Sequence, residues 1–368
     1  MRERKTSTAG VSHGKFRNMA LKSISIPRPD DWHLHLRDES ILAAVLPDTA
    51  RIFGRAIVMP NLRPAVCTAR DAAAYRSRIE ASIPKRSNFT PLMTAYLTDA
   101  TDPFDLRAGW NDGIFHAAKL YPAGATTNAD DGVTDILQLN NVFEMLQELN
   151  MPLLIHGETM DQQVDIFDRE AVFIENTLSP LHQRYPAMRI ILEHITTSEG
   201  VAFVEAADAN VAATITPHHL MLNRSNIFNG GLRPHYYCLP IAKREHHRRS
   251  LRVAATSGNP KFFLGTDSAP HLTSDKESDC GCAGVYNAAT AMSCYTQVFD
   301  EEQSLDKLAG FASHHGPDFY HLPRNTEMIT LVRSETLEPP PDIEVDGDKI
   351  RQFLPETPVR WHLIDEQQ

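Results

Sequence analysis

The chain has 368 residues, 42% of them hydrophobic and 23% charged, enough apolar material for one large core or two ordinary ones. A formal net charge of −11, with no dense Lys/Arg stripe in the body, argues against a nucleic-acid binder. No apolar run approaches the ~20 residues that span a bilayer. Five cysteines, an odd number, and the lack of a secretory signal point to free thiols in a reducing cytoplasm.

In chain order, residues 1–20 stand apart. They carry Arg2, Arg4, Lys5, Lys15 and Arg17 against the single acid Glu3, with no apolar core. They read as a disordered extension, with an organellar transit segment as the other reading and Met19 as a candidate start. From residue 21 onward, short apolar runs alternate with helix-like stretches. The strand expectations are 23–26 leading into His33, then 55–59, 91–97, 114–120, 152–156, 189–194, 211–215 and 261–265. Their Ile, Val, Leu and Phe content suits strands buried on both faces.

Helices are expected at 68–83, opening with Thr68 as N-cap, and at 134–149, 167–184, 198–207 and 242–256. The basic run Lys243-Arg244-Glu245-His246-His247-Arg248-Arg249 reads as the solvated side of the last of these, with Leu251 and Val253 among its apolar neighbours. Eight strand–helix units in ~250 residues fit an α/β fold of the (β/α)8 (TIM) barrel type. A doubly wound sheet is the rival, and no G-x-G-x-x-G follows any strand. The division expected is a single barrel domain over 21–368, with a C-terminal helical extension over 299–325 covering one end.

Barrel enzymes place their chemistry where strands run out. The expected strand ends carry His33, His35 and Arg37; then Asn61, Lys119, His156, His194 and Asp267. In a strand, residues i and i+2 share a face, so His33-Leu34-His35 aims two imidazoles at one point. Singly, each has a bland reading: a hydrogen-bonded core histidine, a snorkelling lysine, a turn aspartate. Jointly they suggest a metal centre.

The order H-x-H, Lys, His, His, Asp resembles the binuclear amidohydrolases. Flanking stretches narrow the resemblance to the shorter, single-function bacterial dihydroorotase family. They are Arg28-Pro29-Asp30-Asp31-Trp32-His33-Leu34-His35-Leu36-Arg37, Met59-Pro60-Asn61, Lys119-Leu120-Tyr121-Pro122-Ala123-Gly124-Ala125-Thr126-Thr127-Asn128, Glu193-His194-Ile195-Thr196-Thr197 and Gly265-Thr266-Asp267-Ser268-Ala269-Pro270-His271. The likeness continues through Cys238-Leu239-Pro240, Lys276-Glu277-Ser278 and Cys280-Gly281-Cys282-Ala283-Gly284, and covers the chain from about residue 22 onward.

What the resemblance implies is specific. Two Zn2+ ions per subunit would be held, one by His33, His35 and Asp267 and the other by His156 and His194. An N6-carboxylated Lys119 and a hydroxide would bridge them. The reaction would be reversible cyclisation of N-carbamoyl-L-aspartate to L-dihydroorotate plus water, in pyrimidine biosynthesis, with Asp267 as general base and acid. Arg37, Asn61 and His271 would grip the substrate carboxylate, Leu239 and Ala283 would offer backbone groups, and Thr126 and Thr127 would sit on a lid. A cytoplasmic homodimer without nucleic-acid or membrane partners would follow. The rival enzyme reading is a hydantoinase- or dihydropyrimidinase-like hydrolase sharing the metal set; a catalytically dead barrel is the third.

Overall fold

The computed structural model describes residues 23–364, so the expectations for residues 1–20 lie outside the described residues. Eight parallel strands follow one another around a single sheet: β2 (Asp31–Leu34), β3 (Arg55–Val58), β4 (Thr90–Tyr96), β5 (Phe115–Leu120), β6 (Leu153–Ile155), β7 (Ile190–Leu192), β8 (Val211–Ile215) and β9 (Phe262–Leu264). Each pairs with the next in sequence, and helices lie between them, as a (β/α)8 barrel requires.

The sheet closes where β9 meets β2. The Asp267 amide donates to His33 O at 2.9 Å and the His35 amide to Ser268 O at 3.1 Å. The buried Asp31 carboxylate reinforces this seam, accepting from the Thr266 amide at 2.9 Å and the Thr266 hydroxyl at 2.5 Å.

The barrel interior takes one apolar side chain from every strand: Trp32, Ile57, Leu92, Ala117, Leu154, Ile191, Ala212 and Phe263. The alternate residues, among them Ala118, Ile155, Leu192 and Ala213, face the outer helices and join the main core. This two-sided burial is why the strands read as unbroken apolar runs. Trp32 stacks on Tyr320 with ring centroids 4.4 Å apart, so the segment after helix His315–Phe319 plugs the barrel at the strand starts.

Several expectations need correcting. The run at 23–26 does not lead into the barrel. β1 (Ser23–Pro27) pairs antiparallel with β10 (Met328–Arg333) in a separate sheet completed by β13 (Trp361–Ile364). Pro27 and Pro29 interrupt the chain before β2 begins, because proline donates no ladder hydrogen bond. The region 299–325 is helical over 299–301 and 305–319, as expected, although most of its first helix lies upstream, at Ala291–Glu301. The chain beyond residue 327 forms strands, including a hairpin of β11 (Ile343–Val345) and β12 (Asp348–Ile350).

Lys243 is not on a solvated face: it is buried and donates to Ile241 O at 3.0 Å. Val253, expected among the apolar neighbours, is 65% exposed. Helices Glu39–Ile52 and Pro103–Asn111 carried no specific expectation. By contrast, Thr68 caps helix Ala69–Ser82 in a reciprocal box with Asp71. All five cysteines are free, and no described helix is long and apolar enough to cross a membrane.

Candidate active site

On five of the eight strands, the residue two beyond the interior apolar side chain is polar. Leu92 is followed by Thr94, Ala117 by Lys119, Leu154 by His156, Ile191 by Glu193 and Ala212 by Thr214, all buried. The period of two therefore builds a polar ring on top of an apolar plug. On β2 a register irregularity between Asp31 and Leu34 breaks that period, and His33 and His35 bring their Nε2 atoms to 3.4 Å. Gly265 makes room: a Cβ there would meet Thr214 Cβ at 2.7 Å and His33 Cβ at 3.1 Å.

Asp267 reaches this pair from β9, with Oδ1 3.1 Å from His35 Nε2 and 3.4 Å from His33 Nε2. Donors about 2.1 Å from one tetrahedral cation stand about 3.4 Å apart, so this spacing fits a metal. Candidate donor atoms of His33, His194 and Asp267 also lie within 4.8 Å of one another. His194 faces His33 and His156 with ring centroids 4.9 and 4.8 Å away. Its Nδ1 is buried without a partner. Lys119 is fully buried, its Nζ has no hydrogen-bond partner, and it lies 4.9 Å from the centre of the Tyr121 ring.

Burial disfavours charge here. It pushes His35 down to about 3 and His194 well below the ordinary imidazole range, so both are neutral and carry a lone pair. It pushes the Lys119 amine down to about 8. Burial alone would raise Asp267, but the surrounding imidazoles outweigh it and hold the carboxyl well below its usual range.

Two supporting residues of this centre escaped the sequence reading. Glu193 Oε2 lies 2.5 Å from His33 Nδ1 and accepts from Thr214 Oγ1 at 2.7 Å. A carboxylate can only accept, so Nδ1 carries the hydrogen and Nε2 keeps its lone pair. Glu158 Oε2 does the same for His156, 3.0 Å from Nε2, which leaves Nδ1 as the donor atom. Both glutamates could have been found by counting two residues on from Ile191 and from His156.

Arg37, His194 and Asp267 all have left-handed backbones, with φ of 57, 40 and 45°. Non-glycine residues there cost on the order of 1 kcal/mol or more, and such strain clusters at functional sites.

Arg37 sits at the rim of the centre. Its Nη1 is 3.5 Å from His35 Nδ1 and its Nη2 3.0 Å from His271 Nε2. The same His271 nitrogen lies 3.0 Å from Ala283 O; it can accept from the guanidinium or donate to the carbonyl, not both. Across the mouth, Asn61 Nδ2 donates to Thr127 O at 2.9 Å and Thr127 Oγ1 to Ala283 O at 3.3 Å. Loop 123–129 thus bridges from the end of β5 to the far wall. Thr126 joins that network only through its backbone, accepting from the Ala129 amide at 3.2 Å. The Leu239 side chain packs in the cluster of Ile227 and Ile241.

A second group of possible ligands, His218, His219 and Cys238, has donor atoms within 4.8 Å. Hydrogen bonds already occupy much of it: His219 Nδ1 with Thr216 Oγ1 at 2.8 Å, His219 Nε2 with Pro240 O at 2.9 Å, His218 Nδ1 with Asn287 Nδ2 at 3.1 Å. The group secures the loop after β8.

The described arrangement agrees with three comparisons. The amidohydrolase family model matches residues 28–331. The dihydroorotase of a Picosynechococcus strain is 62% identical over 85% of this chain and 91% of its own length. The crystal structure of Campylobacter jejuni dihydroorotase superposes with a TM-score of 0.84 at 34% identity, covering 93% of this chain and 98% of that one. An L-hydantoinase from Arthrobacter aurescens, with a TM-score of 0.74 over 92% of this chain and 82% of its own but only 16% identity, shares the fold alone. The barrel, the cluster at its mouth and these similarities together place the chain in the amidohydrolase family and, within it, among the dihydroorotases.

Proposed function

We propose that the protein interconverts N-carbamoyl-L-aspartate and L-dihydroorotate, releasing one water on ring closure, as the ring-forming step of pyrimidine biosynthesis. The observation that carries this reading is the Arg37 guanidinium, half-buried beside the imidazole–carboxylate cluster in a chain of net charge −11. A substrate carboxylate would satisfy it bidentately.

The donor set fits two zinc ions. His33, His35 and Asp267 would hold one, His156 and His194 the other, and a carbamate on Lys119 would span both. A carbamate forms from a neutral amine and CO2, and burial brings the Lys119 amine toward that state. When bound, such cations make water acidic and polarise a carbonyl oxygen.

The chain's own groups do the rest. In the hydrolytic direction Asp267 takes a proton from the attacking water and delivers it to the departing ring nitrogen. In the synthetic direction it removes a proton from the carbamoyl nitrogen. Arg37, Asn61 and His271 hold the carboxylate, and the Leu239 and Ala283 backbones flank the ring. Glu193 and Glu158 keep His33 and His156 in the tautomers that leave donor atoms free. Thr126 and Thr127 close the mouth and exclude water. The same family reading makes the enzyme a cytoplasmic homodimer.

The test is turnover of L-dihydroorotate against dihydrouracil, which lacks the carboxylate. Rapid turnover of the first and none of the second is expected; the opposite preference would overturn the assignment in favour of a dihydropyrimidinase. Arg37→Met should raise KM for L-dihydroorotate by roughly 100-fold, the loss expected for a charged bidentate grip. Thr127→Ala should lower kcat by about tenfold with metal content unchanged, read by steady-state kinetics and elemental analysis.

A further inference from the structure

Lys276 belongs to no step described so far. It ends the short helix Thr273–Lys276 and is 3% exposed. Its ammonium donates to three backbone carbonyls: Tyr237 O at 2.8 Å, Cys282 O at 2.7 Å and Gly284 O at 2.8 Å. An ammonium has three hydrogens, so every donor is spent on a neutral acceptor.

Those carbonyls lie on two chain segments, 237–239 and 282–284, the second of which reaches Arg37 through His271. The segments meet directly, the Gly284 amide donating to Tyr237 O at 3.0 Å. Ala283 lies between the two clasped carbonyls of its own segment. Its oxygen accepts from Thr127 Oγ1 at 3.3 Å and lies 3.0 Å from His271, the neighbour of Arg37. Gly284 has φ 155°, and a Cβ there would stand 2.7 Å from His271 Cδ2, so this segment approaches the rim without slack. Two residues beyond Tyr237 comes Leu239.

We propose that Lys276 is a positioning residue for the substrate: its three-way clasp fixes the backbone of 237–239 and 282–284 where the ring and its carboxylate are held. It acts through the main chain and touches no reacting atom. Burying an ammonium carries a desolvation cost, offset here by the three carbonyls it ties together. The inference rests on the dihydroorotase reading.

The test is Lys276→Met, which keeps the stem and loses all three hydrogen bonds. Expected is a rise of about tenfold in KM for L-dihydroorotate, with kcat falling less than about threefold and metal content unchanged. Thr273→Ala serves as control. It loosens the same helix by losing the hydroxyl bond to Lys349 O at 2.9 Å and should leave KM unmoved. Should Lys276→Met fail to fold, Lys276→Gln carries the same measurement with part of the clasp retained. A KM within about twofold of the parent, or an equal rise in Thr273→Ala, overturns the positioning role. A parent enzyme inactive on L-dihydroorotate would overturn the reaction assignment and this inference with it.

Discussion

Asp267→Asn is expected to cut kcat by about 10³-fold in both directions while leaving the barrel folded. Asparagine matches aspartate in shape and tolerates the left-handed backbone at this position, where φ is 45°. The amide bond to His33 O that helps close the sheet belongs to the main chain and survives. An oxygen also remains to face His35 Nε2, now 3.1 Å from Oδ1. What disappears is proton affinity at the carboxylate that faces the Nε2 atoms of His33 and His35. Steady-state kinetics in each direction, with elemental analysis of the purified variant, decides the matter. A variant that keeps its cations and works within about tenfold of the parent would remove Asp267 from the proton path.

The second large effect is expected at Lys119. Lys119→Met should lose more than about 10³-fold in activity and at least one of two bound cations. With parent and variant both stripped of metal, the same change should leave the melting temperature unchanged or raise it. The parent amine is fully buried with no hydrogen-bond partner, and replacing an isolated buried charge by an apolar chain of similar length removes a desolvation cost. Activity and stability moving in opposite directions is the signature of a residue kept for chemistry. Carbon-13 NMR of enzyme loaded under labelled CO2 should show a carbamate signal that Lys119→Met lacks. Full metal content and parental activity in that variant would end the bridging role.

Much of the barrel was legible because its strands are buried on both sides. β3, β4, β5 and β8 fall within a residue of the runs that Ile, Val, Leu and Phe mark out. The first run misled because apolar pattern reports burial, not partnership. Ser23–Pro27 is as strand-like as β2, yet its partner β10 lies about 300 residues away, a pairing no local period encodes. The helix Glu39–Ile52 was obscured by Pro47 within it.

At the site, the residue types at strand ends announced themselves, whereas their supports did not. Glu193 and Glu158 are ordinary acids by composition, and only their height above the interior plug gives them away. Lys243 looked solvated because it sits in a basic run. In the fold it turns inward, its Nζ 3.9 Å from Glu158 Oε1. The mutual approach of Arg37, His271 and Ala283 was out of reach of spacing arguments, since it joins residues from opposite ends of the chain.

The closure between β9 and β2 has one more consequence. His33 stands on the opening strand of the cylinder and Asp267 just beyond the closing one, so any cation gripped by both is also a rivet through the join. Its binding energy then counts toward keeping the hoop shut, by the ordinary mass-action gain of a ligand that recognises only the assembled form. Stripping the metal would do more than silence the chemistry: it would slacken the cylinder at the place where its two ends are laced together.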